Sequence, residues 1–214
     1  MDLANYKKVW KNQPEEKNKI SALEIYKMTQ SKSNSIVKWI FIIGLLEFVF
    51  WFAINYLGTK NGALEPYEKL NLINFIDNFN YFHYVLVVLF LILFYRNFSL
   101  ISTGDDTKTL MKNILLVRKT VKWYVYYNLL NVVVFSIILN ILIFNIPEGI
   151  NILSGIDNES FNQKHMMSVF IIAQIVVIAI MILILWLFYY LLYGILLKKL
   201  NKNYKELTKL NEIS

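Results

Sequence analysis

No cysteine occurs in the chain. Disulfides, zinc–thiolate sites and thiol catalysis are therefore excluded. Histidine is nearly as scarce. His83 and His165 are the only two, too few to form an all-histidine metal site by themselves. Proline occurs at positions 14, 66 and 147; all three lie outside the long apolar runs, so none interrupts a helix there. Charged residues make up 17% of the chain and hydrophobic residues 57%, against about 25% and about 45–50% in an ordinary soluble domain. The apolar excess is gathered into four blocks, which points to a multi-span membrane protein with no room for a separate soluble domain of ordinary size. No glycine-rich phosphate loop, nucleophile elbow or paired-histidine helix motif is present. The expectation is therefore no catalytic residues, no metal ligands and no cofactor.

The fold class read from these blocks is all-α: a four-span transmembrane helical bundle with short amphipathic helices at its surface. The spans fall at about 36–57, 79–98, 123–146 and 166–197, each reaching the roughly 20 residues that crossing requires. The fourth is longer than the hydrocarbon core needs, so tilt or projection beyond it is expected. Basic residues set the orientation. Nineteen of the 22 Lys and Arg lie before the first span, around the 99–122 loop or after the fourth span; Lys60, Lys69 and Lys164 lie on the other side. That asymmetry places both termini in the cytosol. Abundant Lys, Asn and Ile point to an AT-rich bacterial genome, and so to the bacterial inner membrane. The net charge of +7 is explained by this pattern, and no direct nucleic-acid partner is expected.

Three segments lie on the basic side. Residues 1–35 carry an apolar stripe of Leu3, Tyr6, Val9 and Trp10, ended by Pro14. Ser21 then opens a second helix, with Glu24 at capping-box spacing and Leu23 and Tyr26 on its apolar side. This segment has no apolar stretch of the signal-peptide kind, so the first span is expected to act as an uncleaved anchor. It reads either as two short helices resting on lipid headgroups or as a docking segment for a cytosolic protein, with Tyr6, Trp10, Leu23 and Tyr26 as anchors. In the loop, Asp105, Asp106 and Thr107 are candidate caps of a helix bearing Lys108, Lys112, Arg118, Lys119 and Lys122 among Leu110, Met111, Ile114, Leu115 and Val121. A basic amphipathic helix at a span end is expected to lie on anionic lipid headgroups. Residues 199–214 form a basic tail.

Glu47 stands near the middle of the first span, where a carboxylate is costly unless paired or protonated. Asn131 on the third span and Gln174 on the fourth come out at comparable depth. The three are expected to meet inside the bundle, as hydrogen-bonded glue between helices or as a proton or ion relay.

The stretches YKKVWKNQ, SALEIYKMTQSKSNSIVKWIFIIGLLEFVFW and LMKNILLVRKTVKWYVYYN resemble a family of small membrane proteins of flavobacteria and related Bacteroidetes. The resemblance covers most of the first 130 residues. Members often carry a beta-carotene 15,15'-monooxygenase label, whereas propeller-type carotenoid-cleaving dioxygenases hold iron with four histidines and this chain has two. The family is often found beside extracytoplasmic-function sigma factors. That implies an anti-sigma-like role, in which residues 1–35 hold a sigma factor at the membrane, although the zinc-binding His and Cys of the usual anti-sigma pattern are missing.

The function expected is a non-enzymatic, membrane-tethered regulator or scaffold that binds a cytosolic partner, a sigma factor or another protein, through its N-terminal segment. One rival is a small transporter, or an accessory subunit of transport or secretion machinery, working through Glu47. Four unbroken helices offer little cavity, so that role would call for a homo- or hetero-oligomer. The other rival is a lipid-directed enzyme, which would depend on His83 or His165.

Overall fold

The computed structural model describes residues 21–102, 106–147, 149–154 and 163–213. Tyr6 and Trp10 lie outside them. The described residues are helical, without strands, and four helices are long and apolar enough to cross a membrane. This is the architecture of a multi-pass membrane protein. In chain order the elements are α1 (Ala22–Lys60), α2 (Glu65–Lys69), α3 (Ile73–Ser102), α4 (Thr107–Phe144), α5 (Gly149–Ser154), α6 (Gln163–Tyr189), a π-helical turn (Tyr190–Gly194) and α7 (Ile195–Ile213).

The long helices overrun their apolar cores. At about 1.5 Å per residue, α1 and α4 are each about 57 Å long, roughly twice the thickness of a hydrocarbon core. The excess lies at one end, where α1 and α4 begin, α3 finishes and α7 runs. Lys27, Lys32, Lys108, Lys112, Lys202 and Lys205 are exposed there, and we call it the basic end. The Ser21 capping box is formed: its Oγ accepts the Glu24 N–H at 3.1 Å, and Glu24 Oε2 accepts the Ser21 N–H at 3.0 Å. It opens no separate interfacial helix. α1 runs from Ala22 through the first span without a break at 35/36, because nothing in SKSNSIVK ends a helix. Thr29 and Ser33 are buried on it, and Tyr26 packs against the main core while Leu23 stays exposed. Of the expected docking anchors among the described residues, only Leu23 remains on the surface.

α4 corrects a second expectation. Asp106 is its cap, with Oδ1 accepting the Thr109 N–H at 3.2 Å; hydrogen bonding from Thr109 holds this exposed carboxyl below the usual aspartate range. The apolar side expected to lie on lipid faces protein instead. Leu110, Ile114, Val117 and Val121 are all buried. Lys108, Lys112, Lys119 and Lys122 are exposed on the other side, and Arg118 is half-buried. The tail is likewise part of the bundle, with Leu200, Asn203 and Leu207 buried on α7.

The main core therefore occupies the basic end and the adjoining part of the spans. Val37, Ile40, Phe94, Ile101, Ile114, Val121 and Leu200 belong to it. Polar contacts tie the same region across helices. Asn203 Nδ2 donates to Ser33 Oγ at 3.0 Å, Asn97 Nδ2 to Thr120 Oγ1 at 3.0 Å, and Asn113 Nδ2 to the Leu100 carbonyl at 2.9 Å. Gly44 lets α1 approach α3 closely: a Cβ there would stand 3.1 Å from Leu91 and 3.2 Å from Phe94. Toward the far end the apolar side chains turn outward, as lipid contact requires. Only 6% of the fourth span's most apolar window is buried. A small second cluster closes the far end, where Leu70 and Leu72 pack against Ile143 beneath α2 and α5.

Candidate functional site

The site is built on Glu47. It is 4% exposed, on the face of α1 that looks across the bundle toward the end of α6. Both carboxyl oxygens are occupied. Tyr189 Oη donates to Oε1 at 2.7 Å, and Tyr193 Oη donates to Oε2 at 2.8 Å. Tyr124 of α4 and the Trp51 indole also stand around the carboxyl. No cation belongs to this set. The carboxyl is held chiefly by phenols, at ordinary O–H···O distances.

The two donors come from one helix at a spacing of four, which places them on one face. Tyr189 ends α6, and Tyr193 lies inside the π-turn. π-turns inside α-helices recur at functional sites. Gly194 closes the turn at a place where a Cβ would stand 3.1 Å from the Tyr190 ring. The three tyrosine rings support one another: Tyr124 meets Tyr189 and Tyr193 edge-on at 6.2 and 5.9 Å, and Tyr189 stacks on Tyr193 at 6.1 Å.

The partners expected for Glu47 are not those found. Gln174 is 15 residues before Tyr189 on α6, about 22 Å away along the helix, in the part of the span least packed against the bundle. Asn131 is two turns beyond Tyr124 and lines a cavity instead. The long fourth apolar run misplaced the depth. Gln174 lies near Glu47's depth when residues are counted inward from the external ends of the spans, but the bundle packs on the run's basic end.

Two cavities flank the carboxyl. One, of about 210 Å³, has Glu47 in a wall otherwise made of Ile43, Leu46, Phe50, Phe188 and Leu192. The other, of about 240 Å³, lies on the far-end side and is walled by amides and aromatic rings: Asn55, Asn80, Asn131, Trp51, Tyr84 and Tyr189 among others. Tyr189 thus separates this cavity from Glu47 while touching both. A third cavity, of about 260 Å³, continues toward the far end and shares Ile54, Asn55 and Asn80 with the second. His83 lines the middle cavity, and its Nδ1 is 3.0 Å from the Tyr127 hydroxyl. Among the described residues no group of three or more His, Cys, Asp or Glu stands together as a metal site would require.

Sequence reasoning singled out Glu47 and Asn131 but missed Tyr124, Tyr189, Tyr193 and the Asn55–Asn80 wall. One signal was present, two tyrosines four residues apart in an apolar run, which read equally well as an interfacial belt. Comparison with curated proteins and with solved structures returns no match. Residues 23–212, nearly all of the described bundle, match one family, and the chain belongs to it: the family described as domain of unknown function DUF8845.

Proposed function

We propose that this protein is a non-enzymatic, membrane-tethered regulator or scaffold of the bacterial inner membrane, with both termini in the cytosol and its basic end offered to a cytosolic protein. The observation that supports the reading is the packed extension at that end. Anchoring in a bilayer calls only for the apolar spans, yet α1, α4 and α7 continue well beyond them and interlock through Asn203–Ser33 and the buried Leu110, Ile114, Leu200 and Leu207. The resulting lobe is rigid and its exposed charge is mostly Lys. Such a surface suits a partner with an acidic face, and the family resemblance adds a sigma factor as the partner to look for.

The test is affinity capture from gently solubilised membranes. Three forms are compared: the whole chain, a form beginning at Ser21, and one with Lys27, Lys32, Lys202 and Lys205 changed to Glu. Truncation at Ser21 keeps the capping box and the packed half of α1, which removal of residues 1–35 would destroy. A soluble protein held by the whole chain and lost from either variant is the expected result. Capture of none, or equal capture by all three, overturns the reading. The cavities beside Glu47 favour one second reading, a small transporter or an accessory subunit of transport or secretion machinery. On that reading, Glu47→Gln abolishes flux while the bundle stays assembled.

A further inference from the structure

The chemistry of the middle cavity goes further than either reading. Its lining combines aromatic rings (Trp51, Tyr84, Tyr189) with side-chain amides (Asn55, Asn80, Asn131), beside the aliphatic Ile54, Val132, Met181 and Leu185. No Lys or Arg lines it. A carboxyl, Glu47, stands one ring behind the wall, hydrogen-bonded to Tyr189. An anion would meet the negative faces of the rings with no counter-charge. A wholly apolar guest would leave the amides without partners, which costs binding. A bare metal ion needs several oxygens converging at about 2.0–2.6 Å, and the amides are spread over α1, α3 and α4 around a space equal to about eight waters at about 30 Å³ each. The remaining class fits: a small organic cation, attracted by aromatic rings and by the carboxyl behind Tyr189, with side-chain amides at its rim.

We infer that the cavity bounded by Trp51, Tyr84, Tyr189 and the Asn55–Asn80–Asn131 amides is a binding site for a small organic ammonium ion, with Glu47 as its counter-charge. On the far-end side it adjoins the outer cavity, with which it shares Ile54, Asn55 and Asn80. The basic end is closed behind the carboxyl by Val37, Ile40, Phe94 and Val121, all buried. Ile54, Asn55 and Met181 of its own wall are exposed, so the cavity also opens at the side of the bundle. His83 and Tyr84 of α3, Tyr127 of α4 and Tyr189 of α6 are the titratable groups at or beside its wall; Tyr124 and Tyr193 face the carboxyl from the other side. The inference rests on the cavity and stands or falls independently of any partner of the basic end.

The experiment is calorimetric titration of the whole protein in nanodiscs with tetraethylammonium chloride, against a sodium chloride control. Saturable binding at one site per chain is expected. Glu47→Gln preserves the side chain's shape and one acceptor oxygen but removes the charge, and weakens binding about tenfold or more, as loss of a desolvated counter-charge does. Asn131→Phe fills the cavity from its wall without touching the carboxyl, and abolishes binding while the unfolding transition is retained. No saturable binding by the unaltered protein overturns the inference, and so does unchanged affinity in Glu47→Gln. If Glu47→Gln fails to give a cooperative unfolding transition, Asn131→Phe decides alone: loss of binding supports the site and unchanged affinity overturns it.

Discussion

Replacing Glu47 with leucine strips the acceptor from two buried phenols while keeping side-chain volume. Tyr189 and Tyr193 then lose the acceptor of their hydroxyls in a region shared with Tyr124, Trp51 and the apolar Ile43, Leu46, Phe188 and Leu192. An orphaned buried donor costs about 1–3 kcal/mol, and hydrogen bonds between membrane helices are worth about 0.6–2 kcal/mol. Two such losses together give about 2–4 kcal/mol for Glu47→Leu. The informative variant is the triple, Glu47→Leu with Tyr189→Phe and Tyr193→Phe. It removes the orphans, and the edge-on contacts of both rings with Tyr124 remain. A buried polar set replaced whole by apolar groups of similar volume is near neutral or stabilising, so the triple regains most of what the single variant loses. Unfolding of the three proteins in one detergent, followed by circular dichroism against added sodium dodecyl sulfate, reads the order directly. A triple variant no more stable than Glu47→Leu refutes the argument. The cost would then lie in the α1 backbone or in packing, and not in unpaired phenols.

Three further outcomes follow from contacts on the page. Gly44→Ile drives a branched side chain into Leu91 and Phe94 at the α1–α3 contact and costs about 1–3 kcal/mol by overpacking; Gly194→Ala meets only the exposed Tyr190 ring and changes the unfolding midpoint little, both read in the same assay. Asn203→Ala leaves Ser33 Oγ buried without its donor and costs about 1–3 kcal/mol, most of it regained in the double variant with Ser33→Ala. The Asp106 cap is pH-dependent: its carboxyl titrates below the ordinary aspartate value of about 3.9, so the stabilisation is complete above that value and is lost as pH falls through the depressed one. Hydrogen exchange at the Thr109 amide should lose protection across that acid range, and in Asp106→Ala it should be low at every pH.

The spans and the caps were legible because each is a local signal. Four apolar runs of sufficient length, Ser21 three residues before Glu24, and Asp106 ahead of an amphipathic stretch each need only their neighbours to be read. Glu47 was legible as an anomaly for the same reason. What periodicity cannot tell is which medium an apolar stripe faces. Leu110, Ile114 and Val121 repeat in the same way whether they rest on lipid or on Leu200 and Leu207, so the basic stretch of α4 read as a surface helix and is a bundle helix. Depth across helices was the second failure. Pairing Glu47 with Gln174 assumed that depth can be counted from the span boundaries, whereas α6 packs by its basic end. The phenols that hold the carboxyl, 142 and 146 residues away in sequence, left only their four-residue spacing as a local trace, and nothing in that spacing names Glu47.

The π-turn at Tyr190–Gly194 also fixes a phase. Each residue of an α-helix advances about 100° around the axis, so the wide turn resets the azimuth of everything after it by a residue's worth of rotation. Before it, Tyr189 must address Glu47; after it, Asn203 must address Ser33, which lies 14 residues from Glu47 on the same helix α1. One straight partner is thus matched by a helix with a built-in offset. The turn acts as a vernier between the membrane half and the lobe. Tyr189 and Asn203 are themselves 14 residues apart, so both helices step through equal numbers of residues between the two contacts while only one carries the wide turn. The carboxyl in the bilayer and the surface outside it are consequently geared together through a single loose turn of helix.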